Sequence, residues 1–206
     1  SEELRAAGFA AEEAIVSSPS FMFAETDEQT VVAILSSISA ALVGVLAVMC
    51  LSTSPVVALW VTLCVAMIDA DLLLVVYLWG MQLNSISYTC LVMACGLAVD
   101  YCVHIGHAFD HALRANPEIS LQEAASTAMV RMGASVLQGG FTTFLGTLVI
   151  ALASSVAFRT FFRFIFATVL LGIAHGMVLL PVLLGRLTPR CLTPAAGVAS
   201  GSTDAS

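Results

Sequence analysis

Apolar and polar positions in this chain alternate on the scale of whole helices. Five apolar blocks, at about 30–51, 56–79, 85–109, 133–153 and 161–184, each match the ~20 helical residues that a hydrocarbon core requires. The first ends at Ser52-Thr53-Ser54-Pro55 and the second at Gly80, so the connection between them is too short for anything but antiparallel neighbours. The third follows the polar turn Gln82, Leu83, Asn84, and the chain leaves the membrane at 110–117. Ser120-Leu121-Gln122-Glu123 then has the spacing of a capping box. It opens a short amphipathic helix at 120–132, with Leu121, Ala125, Ala128 and Met132 on one face, which is expected at the interface rather than across the bilayer. The predicted fold class is an all-α integral membrane protein, with five transmembrane helices forming a bundle over 29–187 and one interfacial helix. Residues 1–28 form a polar flank leading into the first span. Residues 188–206, rich in Ala, Gly, Ser and Thr, are expected to be a disordered cytoplasmic tail.

Composition agrees with that pattern. The chain is 59% hydrophobic and 10% charged and has no lysine, too little charge to cover a soluble surface. Its net charge of -7 is concentrated in the flank, where Glu2, Glu3, Glu12, Glu13, Glu25, Asp27 and Glu28 accompany only Arg5. No basic patch exists for a nucleic acid partner. Placing the loop after the third span in the cytoplasm puts Arg114, Arg131, Arg186 and Arg190 inside and Arg5, Arg159 and Arg163 outside, in accord with the positive-inside rule. The multi-pass chain can sit in the plasma membrane or an endomembrane. It opens at Ser1 with acidic residues, and the expectation is a C-terminal part of something longer.

The third block carries the candidate chemistry. Asp100, His104, His107 and His111 are spaced i, i+4, i+7 and i+11 and fall in one stripe of a helix. An ionised Asp at bilayer depth costs at least ~2.5 kcal/mol, so such a residue is expected to turn inward, toward a partner, a cavity or a proton path. Asp100 and His104 are the primary candidates for a proton or cation site; a packing role is the simpler alternative. Asp69 and Asp71 lie ~200° apart on the second helix, so at most one of them points at Asp100. His107 is a secondary candidate near the cytoplasmic mouth, and His175 reads as a packing histidine. Gly139, Gly140 and Gly146 allow close backbone approach in the fourth span. The cysteines show no metal-ligand spacing and read as small buried hydrophobes; no nucleotide loop and no nucleophile-base set is present. The expectation is therefore a non-enzyme without metal or cofactor, driven by an ion gradient.

In order along the chain, Glu28-Gln29, Ile68-Asp69-Ala70-Asp71-Leu72 and Tyr77-Leu78-Trp79-Gly80 resemble the Patched and Niemann-Pick type C branch of the resistance-nodulation-division superfamily. So do Gly96-Leu97-Ala98-Val99-Asp100-Tyr101, Gln138-Gly139-Gly140 with Thr142-Thr143-Phe144, and His175-Gly176-Met177 with Leu180-Pro181. The resemblance implies spans eight to twelve of a twelve-span protein, with the first repeat and both exoplasmic domains supplied elsewhere. It carries a proton or cation relay onto Asp100, with His104 and Asp71 as neighbours and Gly96 in the packing motif. It also implies membrane lipids, sterol above all, as partners, alongside the N-terminal repeat of the same protein. Ion-coupled lipid transport is the leading expectation; a sterol-responsive sensor without transport is the alternative.

Overall fold

The structure is a computed structural model and describes residues 19–81, 85–152 and 155–188. The expectations for 1–18, for the turn at 82–84 and for the tail beyond Thr188 lie outside the described residues. Within them the chain is helical: α1 Pro19–Ser52, α2 Pro55–Leu78, α3 Ser85–Ala115, α4 Leu121–Ala151, α5 Val156–Ile173, a π-helical turn Ala174–Leu179, and α6 Leu180–Leu187. Among the described residues, five stretches are long and apolar enough to cross a membrane, the last running through α5, the π turn and α6.

Local chemistry sets the helix ends. α1 and α2 each begin on a proline, Pro19 and Pro55, whose missing N–H is no loss at a first helical position. α2 stops at Gly80, which adopts φ +59°; Gly80 N–H donates to the Tyr77 carbonyl (3.1 Å) and Met81 N–H to the Val76 carbonyl (3.1 Å). That pair of bonds is the Schellman closure, and it favours glycine at the left-handed position. In α4 the capping box forms: Ser120 Oγ accepts from Glu123 N–H at 3.2 Å, and Glu123 Oε2 accepts from Ser120 N–H at 3.0 Å.

The sequence expectation separates an interfacial helix at 120–132 from a fourth span at 133–153. The structure joins them in one helix of 31 residues. The junction holds Gly133 and no proline, and a lone helical glycine costs only ~1 kcal/mol relative to alanine. Continuity is therefore cheap. The third helix likewise runs on past 109 to Ala115, and the fifth starts at Val156 rather than near 161.

α3 is the central strut, in contact with every other helix of the bundle. Its inner face, Leu91, Ala94, Ala98, Cys102, Ile105 and Phe109, is buried among α2 residues such as Val61, Cys64, Val65 and Ile68. Small side chains hold α4 close, because its buried positions include Ala124, Ala125, Ala128, Gly133 and Gly140. Gly106 of α3 faces the Val61 side chain at a distance that leaves no room for a Cβ.

A buried acid that sequence reading left outside the membrane ties α3 to the α1–α2 turn. Asp110, 2% exposed, accepts from Ser54 N–H at 3.0 Å through Oδ1 and from Arg114 Nε at 2.6 Å through Oδ2. The i,i+4 Asp-Arg spacing was a visible signal for the second bond. Nothing local pointed to the first. Asp110→Ala leaves the buried Ser54 amide unpaired and is expected to cost about 1–3 kcal/mol. A lowered thermal unfolding midpoint in detergent, with Asp110→Asn retaining much of the stability, is the result to look for; an unchanged midpoint for the alanine variant would remove the tie.

Candidate functional site

The ionisable stripe lies on the face of α3 that the bundle leaves open. Asp100, His104, His107 and His111 are all exposed, while their helix neighbours Tyr101, Cys102, Ile105 and Ala108 are buried. The 3.6-residue period accounts for both facts: one face of α3 fills the core and the opposite face carries the acid and the imidazoles. Asp100 and His104 line a cavity of about 290 Å³ between α3 and α4. Leu97 and Tyr101 complete the α3 wall, and Met132, Ser135, Val136, Gly139 and Thr143 form the α4 wall. The cavity thus combines an apolar lining with one carboxyl, one imidazole and three hydroxyls. It can take up a proton or a small cation at its acid, and an apolar molecule with a polar end along its wall.

Tyr101 fixes the backbone of this site. Its ring lies against Gly172 of α5, leaving no room for a side-chain carbon there, and a Cβ on Gly140 of α4 would lie 3.3 Å from Tyr101 Cε1. Gly176, in the π turn, faces the Tyr101 backbone carbonyl; a Cβ there would approach the oxygen to 2.6 Å. Three helices therefore close on the residue next to Asp100. Of the glycines expected to serve packing, Gly140 makes such a contact. Gly96, Gly139 and Gly146 have open space beside them within the bundle, because all three lie on outward faces, and the tight contacts fall to Gly172 and Gly176 instead.

The two acids of α2 go separate ways, as their angular spacing requires. Asp69 is 2% exposed; Cys95 Sγ of α3 donates to its Oδ2 at 3.3 Å, and Oδ1 has no hydrogen-bond partner. Asp71 is half-buried, and its Oδ2 lies 3.3 Å from His175 Nε2. Neither acid lines the Asp100 cavity. The pairing of Asp71 with His175 escaped sequence reading because it depends on how α2 and the π turn are registered in space.

His111 stands farther along the stripe, with Arg131 Nη1 of α4 at 3.3 Å from its Nδ1. A guanidinium can only donate, so Nδ1 is the acceptor in this contact. His107 is exposed and is not among the cavity residues. Among the described residues, no three His, Cys, Asp or Glu side chains converge to hold a metal.

No family model matches the chain. Among curated proteins, it is 42% identical over 137 residues to the "NPC intracellular cholesterol transporter 1" of Sus scrofa, a match covering 64% of this chain and 10% of that protein. It is 32% identical over 166 residues to the "Niemann-Pick type C1-related protein" of Toxoplasma gondii, covering 80% of this chain and 14% of that protein. The "Protein patched homolog 1" of Caenorhabditis elegans matches at 31% identity over 138 residues, 66% of this chain and 9% of that protein. The chain spans about a tenth of the length of these curated relatives.

Proposed function

This multi-pass membrane chain belongs to the Patched and Niemann-Pick type C family, and we propose that it is the C-terminal membrane repeat of a sterol- or lipid-moving protein whose Asp100 and His104 couple that movement to protons or cations. The observation that carries the proposal is the placement of both residues on the outward face of α3, in a cavity open beside α4. An acid with only lipid to face is costly at bilayer depth, so this face needs a cover. A second membrane repeat of the same protein, laid over the stripe, supplies one and closes the ion path between the two halves. Spans eight to twelve are the corresponding numbering, and the cholesterol-transporter name of the Sus scrofa relative favours sterol as the lipid.

Coupling follows from electrostatics. With Asp100 ionised, the interface between the halves must admit a charge and its water; with Asp100 neutralised by a proton or a bound cation, the same surfaces can approach and exclude water. Tyr101, clamped by α4, α5 and the π turn, transmits that change to the rest of this bundle. Asp69, a secondary candidate beside His107 from its place in the second span, is held in the core by Cys95 and stands apart from the cavity.

The test is sterol movement by the full-length protein in proteoliposomes under imposed proton and sodium gradients. Transfer is expected to fall to the ungraded rate when the coupling gradient is collapsed by an ionophore. Equal transfer with and without every imposed gradient contradicts the coupling.

A further inference from the structure

The contact between α2 and the π turn contains more than a packing histidine. His175 Nδ1 lies 3.0 Å from the carbonyl oxygen of Leu171, four residues back. A carbonyl can only accept, so the ring makes this bond in the form that has Nδ1 protonated and donating. The other ring nitrogen, Nε2, stands 3.3 Å from Asp71 Oδ2. A ring protonated on Nδ1 alone would set the Nε2 lone pair against a carboxylate oxygen, which repels. The contact is attractive only with a proton between the two atoms.

We propose that Asp71 and His175 form a second proton-binding site, separate from the Asp100–His104 cavity, in which one proton is held between Asp71 Oδ2 and His175 Nε2. Two arrangements share that proton. In one it sits on Oδ2 and the carboxylic acid donates to a neutral ring. In the other the O–H bond has broken and an N–H bond has formed, leaving a carboxylate and an imidazolium. No other reactant is involved, and release of the proton leaves the neutral ring able to satisfy only one side: with Nδ1–H on Leu171 the lone pairs of Nε2 and Oδ2 oppose, and with Nε2–H on Asp71 the bond to Leu171 is lost.

Neighbouring ionisable groups are turned away from the pair. On α2, Asp69 is turned to Cys95; on α3, Asp100 and His104 line the cavity with α4. The π turn itself, Ala174–Leu179, contributes no ionisable group besides His175, and the charged residues of the helices on either side of it, Arg159 and Arg163 of α5 and Arg186 of α6, are exposed. The site also stands on an unusual backbone. Pro181 has no N–H to return to the Met177 carbonyl, and the helix widens into π geometry just before it. The same turn carries Gly176 against the Tyr101 carbonyl. Losing the shared proton removes the attraction between α2 and the turn on which Tyr101, the neighbour of Asp100, is seated. The site exists independently of the coupling proposed for Asp100, and rests on that reading only for its part in transport.

The full-length protein in lipid nanodiscs, with labelled histidine for NMR and infrared difference spectra for the carboxyl, reads the pair directly. His175→Gln assigns the ring signal and Asp71→Asn the carboxyl band. The expected result is that ring and carboxyl signals of the wild type change together in a single step as pH rises. Asp71→Asn loses the carboxyl step and alters the ring's, whereas Asp100→Asn leaves both in place. A His175 step that is the same in wild type and Asp71→Asn overturns the site. If Asp71→Asn does not fold, His175→Gln decides: an Asp71 carboxyl step that survives it unchanged overturns the site, and one that is lost or displaced supports it. Loss of gradient-driven transport in Asp100→Asn with the Asp71–His175 step intact leaves both proposals standing, so their failures are separable.

Discussion

Gly176→Ala is expected to destabilise the bundle by about 3 kcal/mol, the upper part of the range for forcing an extra carbon into a packed core. The added Cβ would approach the Tyr101 carbonyl oxygen to 2.6 Å, and that oxygen belongs to the backbone of α3. No rotamer change relieves it; α3 and the π turn must separate. Gly172→Ala makes a different clash, with the Tyr101 ring, which a side-chain change can relieve. The pair therefore predicts an asymmetric rescue. Tyr101→Leu should recover much of the stability lost in Gly172→Ala and none of that lost in Gly176→Ala, because the offending oxygen remains. Thermal unfolding midpoints of detergent-purified variants, with size-exclusion profiles as a control for folding, provide the comparison. A Gly176→Ala protein with the wild-type midpoint, or equal rescue of both glycine variants, contradicts the arrangement around Tyr101.

Asp100→Asn is expected to have the largest functional effect. Asparagine keeps the size of the side chain and the apolar packing of α3, and removes the charge that can be gained or lost. The coupling free energy between linked sites is typically 1–3 kcal/mol, so gradient-driven transfer should fall by about 5- to 150-fold, with lipid binding and unfolding midpoint retained. His104→Gln should produce a smaller loss, since the acid remains. Both substitutions are expected to leave stability nearly unchanged, because neither side chain fills the core of this bundle.

Much of this fold is legible in the chain because membrane helices announce themselves by apolar length. The five spans, the Ser120–Glu123 cap and the ionisable stripe of α3 are all local properties, set by spacing along one helix; that the stripe faces out of this bundle, where the sequence points it inward, is set by how α3 packs on its neighbours. What sequence did not disclose is set between helices. The Asp71–His175 contact and the glycine seat of Tyr101 require the relative rotation of α2, α3 and the π turn, which no period in one segment encodes. Gly139 and Gly140 illustrate the difference: adjacent in sequence, one lies open at the cavity and the other lies packed against Tyr101 and Ile173. Asp110 shows the reverse error, an acid placed with the departing loop by its polarity and found buried on the Ser54 amide. The π turn had a partial signal in Pro181, whose missing donor disturbs the preceding turn, but a wide turn and a kink are equal solutions to that loss until neighbours choose.

Gradient-driven sterol transfer by the full-length protein in proteoliposomes, wild type beside Asp100→Asn at matched folding and protein-to-lipid ratio, tests ion coupling through the α3 stripe most directly. Ion-coupled transport requires that the variant bind sterol and lose the response to the gradient. Transfer by Asp100→Asn that responds to the gradient as the wild type does would contradict it.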